Sequence, residues 1–315
     1  MASGLTSHAM EERRARSLHE YFVCGLRIRS EIPLPELASG QPVDGAPVID
    51  IRFGDAGPAL APRASPIFEA NADEYRHEVP DTARYRIRNG DEIVIAPLGR
   101  SSAALMRIFL LGTGLAALCH QRGLLPLHAS AIAIAVDGGC VAFAGPPGAG
   151  KSTLAAFFHD RGYDVLSDDL CVVTFAQAER PLAWPGVPRF KLARDAVAAL
   201  GRDVRRLTRC DEVPGEFHLP FDRPAAPALP LRRLYVLADG RPGIHKLGGA
   251  DAFEALLANT HRAHLVEPMG RTAAHFENCT TLLKHAGVYA ASRRHGLDLV
   301  AAEAAILERH FRDDA

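Results

Sequence analysis

Cysteine is too thinly spread in this sequence to act in concert. Cys24, Cys119, Cys140, Cys171, Cys210 and Cys279 never come within three residues of one another, so there is no Cys-x-x-Cys metal or redox pair. In a chain of 315 residues they read as small buried hydrophobes in a reducing compartment. Net charge is also missing. Lys+Arg total 36 against 37 Asp+Glu, a formal charge of -1, so no global field draws in nucleic acid or an anionic membrane. The stretch from Met1 to Leu18 is polar and lacks the apolar core of a signal peptide. Long hydrophobic runs are absent too. The best, Ile108 to Cys119, falls short of the roughly 20 residues a spanning helix needs. Bracketed by Arg107 and His120, it reads as a buried helix capped by Ser101 or Ser102 and ended at Gly123. The six histidines from His218 to His285 show no HExxH or comparable spacing, and no zinc site is expected. The expectation is a soluble, cytoplasmic protein with neither nucleic acid nor membrane as partner.

What the chain does have is apolar material. A hydrophobic content of 48% with 23% charged residues excludes a collagen-like, mucin-like or wholly disordered chain. The length suggests about two domains. Residues 1–17 read as a flexible tail, 18–100 as a β-rich N-terminal domain, 101–123 as a connecting helix and 124–315 as the larger domain. In the first domain, the run from Tyr21 to Ile28 reads as one strand, and Val48 to Phe53 alternates with period two. Tyr85 to Arg88 and Ile93 to Ile95 flank Asn89-Gly90, a tight-hairpin signal because both central residues must take positive φ. This region holds no cluster of catalytic residue types. The nearest approach to low complexity is a Pro/Ala connector, Pro224 to Pro230.

The strongest motif is Gly145-Pro146-Pro147-Gly148-Ala149-Gly150-Lys151-Ser152-Thr153, a complete G-x-x-x-x-G-K-[ST]. The apolar run Cys140 to Ala144 precedes it as a strand. Leu154, Phe157 and Phe158 make an apolar stripe on the helix that follows, which ends at Gly162. Such a strand–loop–helix aims backbone N–H groups and a helix N-terminus at phosphate oxygens. Gly145, Gly148, Ala149, Gly150, Lys151, Ser152 and Thr153 are the expected nucleotide-binding residues. Lys151 would reach the β/γ-phosphates and the Ser152 hydroxyl would ligate Mg²⁺.

Tyr163 to Ser167 then reads as a parallel strand delivering Asp168 and Asp169 to the sheet edge where ligands of open α/β sheets bind. Two adjacent carboxylates allow one to hold the metal while the other accepts a proton from an attacking hydroxyl. His128 enters by register. If Val136 pairs with Cys140 across an Asp137-Gly138-Gly139 turn, His128 falls level with Gly148, where it could contact phosphate or tune a carboxylate.

Taken together these residues resemble the HPr kinase/phosphorylase family. The parts are Leu127-His128-Ala129-Ser130 at a strand start, the phosphate loop about seventeen residues on, and Asp168-Asp169 about seventeen beyond Lys151. The resemblance covers roughly residues 124–200. The β-rich front half and Pro185-Gly186-Val187-Pro188-Arg189-Phe190-Lys191-Leu192 resemble the shorter HPr-kinase-like proteins of peptide-modification clusters, some of which phosphorylate a serine of a lasso-peptide precursor. The resemblance implies that Asp168 is the general base, Asp169 the metal-side carboxylate, Lys151 and Ser152 the phosphate and Mg²⁺ ligands, and His128 the histidine beside the base. The acidic, glycine-rich element by which true HPr kinases form a hexamer and bind HPr has no close copy here. Pro268-Met269-Gly270-Arg271 only faintly echoes their Pro-Gly-Arg element.

Further along, Arg189, Lys191 and Arg194 read first as solvated surface, with charge stabilisation at a transferring phosphoryl group as the functional alternative. Arg271 and Thr260-His261-Arg262 read the same way. Arg202, Arg205, Arg206 and Arg209, beside Asp211 and Glu212, suit either a solvated helix face or recognition of an acidic peptide. The expected fold class is α/β, an HPr-kinase-like P-loop domain preceded by a small β-rich domain. The expected function is ATP- and Mg²⁺-dependent transfer of the γ-phosphoryl group to a serine of a small protein or peptide. A small-molecule kinase, a nucleotide-sensing module and a P-loop ATPase are the alternatives.

Overall fold

In the computed structural model the described residues are 18–37, 44–60, 68–99, 102–134, 138–175, 180–210, 214–222, 228–294 and 296–313. The flexible-tail expectation for 1–17, and Ser101, Val136, Asp137, Asp211, Glu212 and Pro224, lie outside them. The architecture is mixed α/β with three sheets.

The first sheet holds β1 (His19–Val23), β2 (Leu26–Ser30), β3 (Val48–Phe53), β4 (Phe68–Ala70), β5 (Glu74–Val79), β6 (Ala83–Arg88) and β7 (Glu92–Pro97) in the order 1-2-3-7-6-5-4. The run expected as one strand from Tyr21 to Ile28 is instead a hairpin, Val23 pairing with Leu26. Cys24 and Gly25 both take positive φ, 56° and 77°, and the Cys24 N–H donates to the Pro185 carbonyl. A tertiary contact bends this run, where alternation alone cannot show the break. Asn89 and Gly90 do turn with positive φ, 51° and 68°, closed by Asp91 N–H onto Arg88 O at 3.1 Å.

Next comes α1 (Ala103–Gln121), whose centre, Leu110–Gly114, is wound as a π-helix. Ser102 caps it, its hydroxyl accepting from Leu105 N–H. At the other end Gly123, φ 67°, donates to His120 O while Leu124 donates to Cys119 O, the paired bonds of a glycine-terminated helix. By length and composition this helix could cross a membrane. It lies in the core, where Leu115 through Gln121 are all buried. Met106, Leu110, Leu111, Leu115 and Leu118 pack with the apolar face of the first sheet and with Leu170, Val172, Leu265 and Met269. The hairpin tip docks on its end, Gly90 N–H donating to Gln121 Oε1 and Arg122 donating to Gly90 O.

The second sheet carries the 145–152 loop. It contains β8 (Leu125–Leu127), β9 (Ala129–Ile134) and β10 (Gly139–Ala144); α2 (Lys151–Asp160) follows the loop and leads to β11 (Val165–Ser167). Then come β12 (Cys171–Phe175), β13 (Pro181–Ala183), β14 (Arg189–Ala193), α3 (Arg194–Ala199), β15 (Thr208–Arg209) and β16 (Glu216–Pro220). The chain ends with β17 (Leu229–Asp239), β18 (Gly243–Lys246), α4 (Gly249–Ala258), α5 (Thr272–His285), β19 (Gly287–Arg293) and α6 (Val300–Asp313). The nine-stranded order is 11-9-10-17-13-12-8, with β19 parallel to β17 and β18 on β19; β14-β16-β15 form a small separate sheet. The basic run beyond α3 is not one helix face. Val204–Arg206 is a 3₁₀ turn, Arg205 pairs with Asp203 and Arg202 pairs with Asp160.

Two expectations change. Gly139 pairs with Ile134 and Ala144 with Ala129, a shift of three residues from the expected register. Extending that ladder puts His128 level with Gly145 instead of Gly148. Nor does β11 neighbour β10 in parallel. It pairs antiparallel with β9, which is antiparallel to β10. Two reversals restore the direction, so β10 and β11 end at the same edge, and β9 begins there. That is why His128 and Ser130 meet the loop and the carboxylates.

Candidate active site

The loop after β10 owes its shape to glycine. Gly145, Gly148 and Gly150 have φ of 141°, 80° and 83°, values an L side chain rarely adopts. A Cβ on Gly145 would stand 2.7 Å from Leu237 O, whereas one on Gly148 would project into open space. The Lys151 ammonium donates to the carbonyls of Gly145 and Pro146 at 2.9 and 3.2 Å. Burial lowers its pKa, opposed by the charges of Asp168 and Asp169. Behind the loop, Arg293 at the end of β19 bonds Ala149 O and the buried Glu303 of α6. From another side Asn259 Oδ1 accepts the Gly145 N–H at 2.7 Å. A cleft of about 550 Å³ opens beside the loop, lined by Gly148, Ser152, Thr153, Lys191, Arg293 and Asp298 among others. Its volume suits a nucleotide-sized ligand.

The two carboxylates differ in their surroundings. Asp168 is 4% exposed. Its oxygens accept the Ser130 hydroxyl at 2.6 Å and the Lys191 N–H at 2.9 Å. Burial raises its pKa and the charge of Asp169 adds to that, while hydrogen bonds from Ser130, Lys191 and Ser152 pull the other way. Asp169 is half-buried and sits at φ 67°, a backbone strain of the kind found at functional turns. Its Oδ1 lies 3.2 Å from His128 Nδ1 and its Oδ2 lies 4.0 Å from Lys191 Nζ. Burial would raise this carboxyl, but the His128 hydrogen bond and the nearby Lys191, His261 and His128 charges hold it well below the usual range. His128 Nδ1 also lies 3.1 Å from Asp169 O. A carbonyl can only accept, so Nδ1 carries the hydrogen and, in the neutral ring, Nε2 keeps its lone pair.

Lys151, Ser152, Asp168, Asp169 and His128 therefore share one sheet edge, as their spacing suggests. Ser130 and Asn259, not singled out as site residues by the sequence, stand with them, as do Lys191 and His261, read there first as surface. Ser130 lies two positions beyond His128, on the same strand face, so period two could have found it. Lys191, read as surface, lines the cleft. Asn259 and His261 come from the far end of α4, and nothing local signals that. His261 is 7% exposed, and burial pushes its imidazole down to about 3. No hydrogen bond or ion pair joins Pro268–Arg271 to this cluster among the described residues.

No protein-family model matches the sequence, and none of the curated proteins compared with it matches either. Among solved structures, the chain is similar to the Hpr(Ser) kinase/phosphatase from Coxiella burnetii at 13% identity and a TM-score of 0.31, over 59% of this chain and 90% of that one.

Proposed function

We propose that this protein is an ATP- and Mg²⁺-dependent kinase whose acceptor is a serine hydroxyl of a small protein or peptide. The observation that carries the reading is the placement of Asp168 and Asp169 at the mouth of a complete phosphate loop. The donor set fits the metal: Mg²⁺ favours a few carboxylate and hydroxyl oxygens with water and phosphate, and Ser152 stands within hydrogen-bonding reach of Asp168. The glycine cradle and the Lys151 ammonium fit a triphosphate.

The surroundings favour a division of labour opposite to the one the resemblance implies. Asp168, buried and held beside Ser152, suits the metal side. Asp169, half-exposed and oriented by His128, suits the proton acceptor, because a base must first be within reach of the proton it takes. Mg²⁺ bound there would neutralise charge on the phosphates. Asp169 would take the hydroxyl proton as the serine oxygen bonds to the γ-phosphorus and the bond to the β-phosphate oxygen breaks. Lys191 lines the loop cleft, and a second cleft of about 470 Å³ lies between α1 and the small sheet of β14, β15 and β16, lined by Arg189, Arg209 and His218 among others. His218 faces Lys191 across the ladder. A groove bounded by a helix on one side and a sheet on the other suits an extended peptide better than a small metabolite.

Calorimetry with Mg-ATP on the full chain tests the division. Lys151→Ala and Asp168→Asn are expected to weaken nucleotide binding about tenfold or more, and Asp169→Asn to leave it nearly unchanged. Equal loss in Asp168→Asn and Asp169→Asn would contradict the assignment.

A further inference from the structure

His261 is brought to the site by a short antiparallel pairing. His128 N–H donates to Asn259 O at 2.7 Å, His261 N–H donates to Pro126 O at 2.9 Å, and Leu127 stands opposite Thr260. His120 Nε2 secures the His261 carbonyl from below at 2.8 Å. The His128 and His261 rings lie 5.5 Å apart. One ligating atom each from His128, Asp169 and His261 falls within 4.8 Å of the others. Nδ1 of His261 is buried without a hydrogen-bond partner, a condition that buried polar atoms rarely tolerate without a ligand or water.

We propose that His128, Asp169 and His261 bind a divalent ion of the Zn²⁺ class, separate from the Mg²⁺ that Ser152 and Asp168 would hold. Two imidazoles and one carboxylate make a borderline donor set that suits Zn²⁺, whereas Mg²⁺ takes oxygen and water. Ligand atoms around tetrahedral Zn²⁺ at about 2.0–2.1 Å stand roughly 3.4 Å apart. Closing the gap needs about an ångström of movement, available to the half-buried His128 and Asp169 around a fixed His261. The His128 N–H on the Asp169 carbonyl is the kind of outer contact that orients a ligating imidazole. Lys191 sits on Oδ2 of Asp169, and Oδ1, which His128 Nδ1 holds at 3.2 Å, would exchange that bond for the ion. Three protein ligands leave a fourth position for water. Where Asp169 is the proton acceptor, an ion there withdraws it and suppresses transfer; that consequence rests on the proposed function, whereas binding does not.

The test titrates the full chain with Zn²⁺ alone against a chromophoric chelator, and with Co²⁺ followed by its visible d–d spectrum. One ion per chain is expected. His261→Ala and His128→Ala should each weaken it by ~100-fold or more, and the exposed His245→Ala should leave it unchanged. Either site variant, still folded by circular dichroism, binding Zn²⁺ as the unaltered chain does overturns the proposal. Should His261→Ala fail to fold, His128→Ala decides, since His128 is half-exposed at a strand start. Ion bound with transfer untouched would contradict the role of Asp169 and leave the ion site standing.

Discussion

His77 stacks on Tyr85 with ring centroids 4.4 Å apart, and neither of its nitrogens has a hydrogen-bond partner. Burial pushes its imidazole down to about 3, with the Arg262 charge adding to it. His261 falls to about 3 and His120 to about 4, again chiefly by burial. An unfolded chain takes a proton on each ring near pH 6.5; the folded chain does not until about pH 3 to 4. Between these limits the unfolded state holds more protons, so stability falls on acidification, by about 1.4 kcal/mol per pH unit for each ring. Urea unfolding at pH 7.5 and 5 is expected to show that loss, and His77→Phe to make the slope shallower. An unchanged slope in His77→Phe would remove His77 from the account. At this scale the loop lysine, Ser152, both aspartates and His128 are legible because motif spacing fixes them locally. Asn259 is not, and His261 is legible only as a candidate without a place, because a backbone pairing more than a hundred residues away brings them in.

Among the elements, α1 shows both what sequence pattern carries and what it misses. Its cap at Ser102 and its stop at Gly123 follow from residue type. Its π-helical centre does not, since nothing in Leu110–Gly114 announces the extra residue in the turn. Leu118 is fully buried in the layer the helix shares with the first sheet. Leu118→Ala is expected to cost roughly 2–5 kcal/mol by chemical denaturation; a loss under about 1 kcal/mol would show that this helix is not a core element. The hairpin at Cys24–Gly25 marks the converse limit. Its flanks read as one continuous apolar strand, and only the contact with Pro185 and a glycine under Trp184 reveal the turn.

Across the whole molecule, three distant segments converge on one edge: the start of β9 with the loop after β10, the carboxylates after β11, and the link after α4. The interposed β9 makes this work, because two antiparallel pairings align β10 and β11 without making them neighbours. A parallel α/β reading of the sequence reaches the same edge by the wrong route, and an assumed hairpin register misplaces His128 by three residues. The central proposal is that this edge transfers a phosphoryl group to a serine hydroxyl of a small protein or peptide. The direct measurement uses γ-labelled ATP and Mg²⁺ with extract of the cells the protein comes from, comparing the full chain with Asp169→Asn and identifying the labelled amino acid. The account expects phosphoserine on a small protein or peptide, falling by ~10²–10⁴-fold in Asp169→Asn. Label confined to small metabolites, or none at all while ATP is bound, would contradict it.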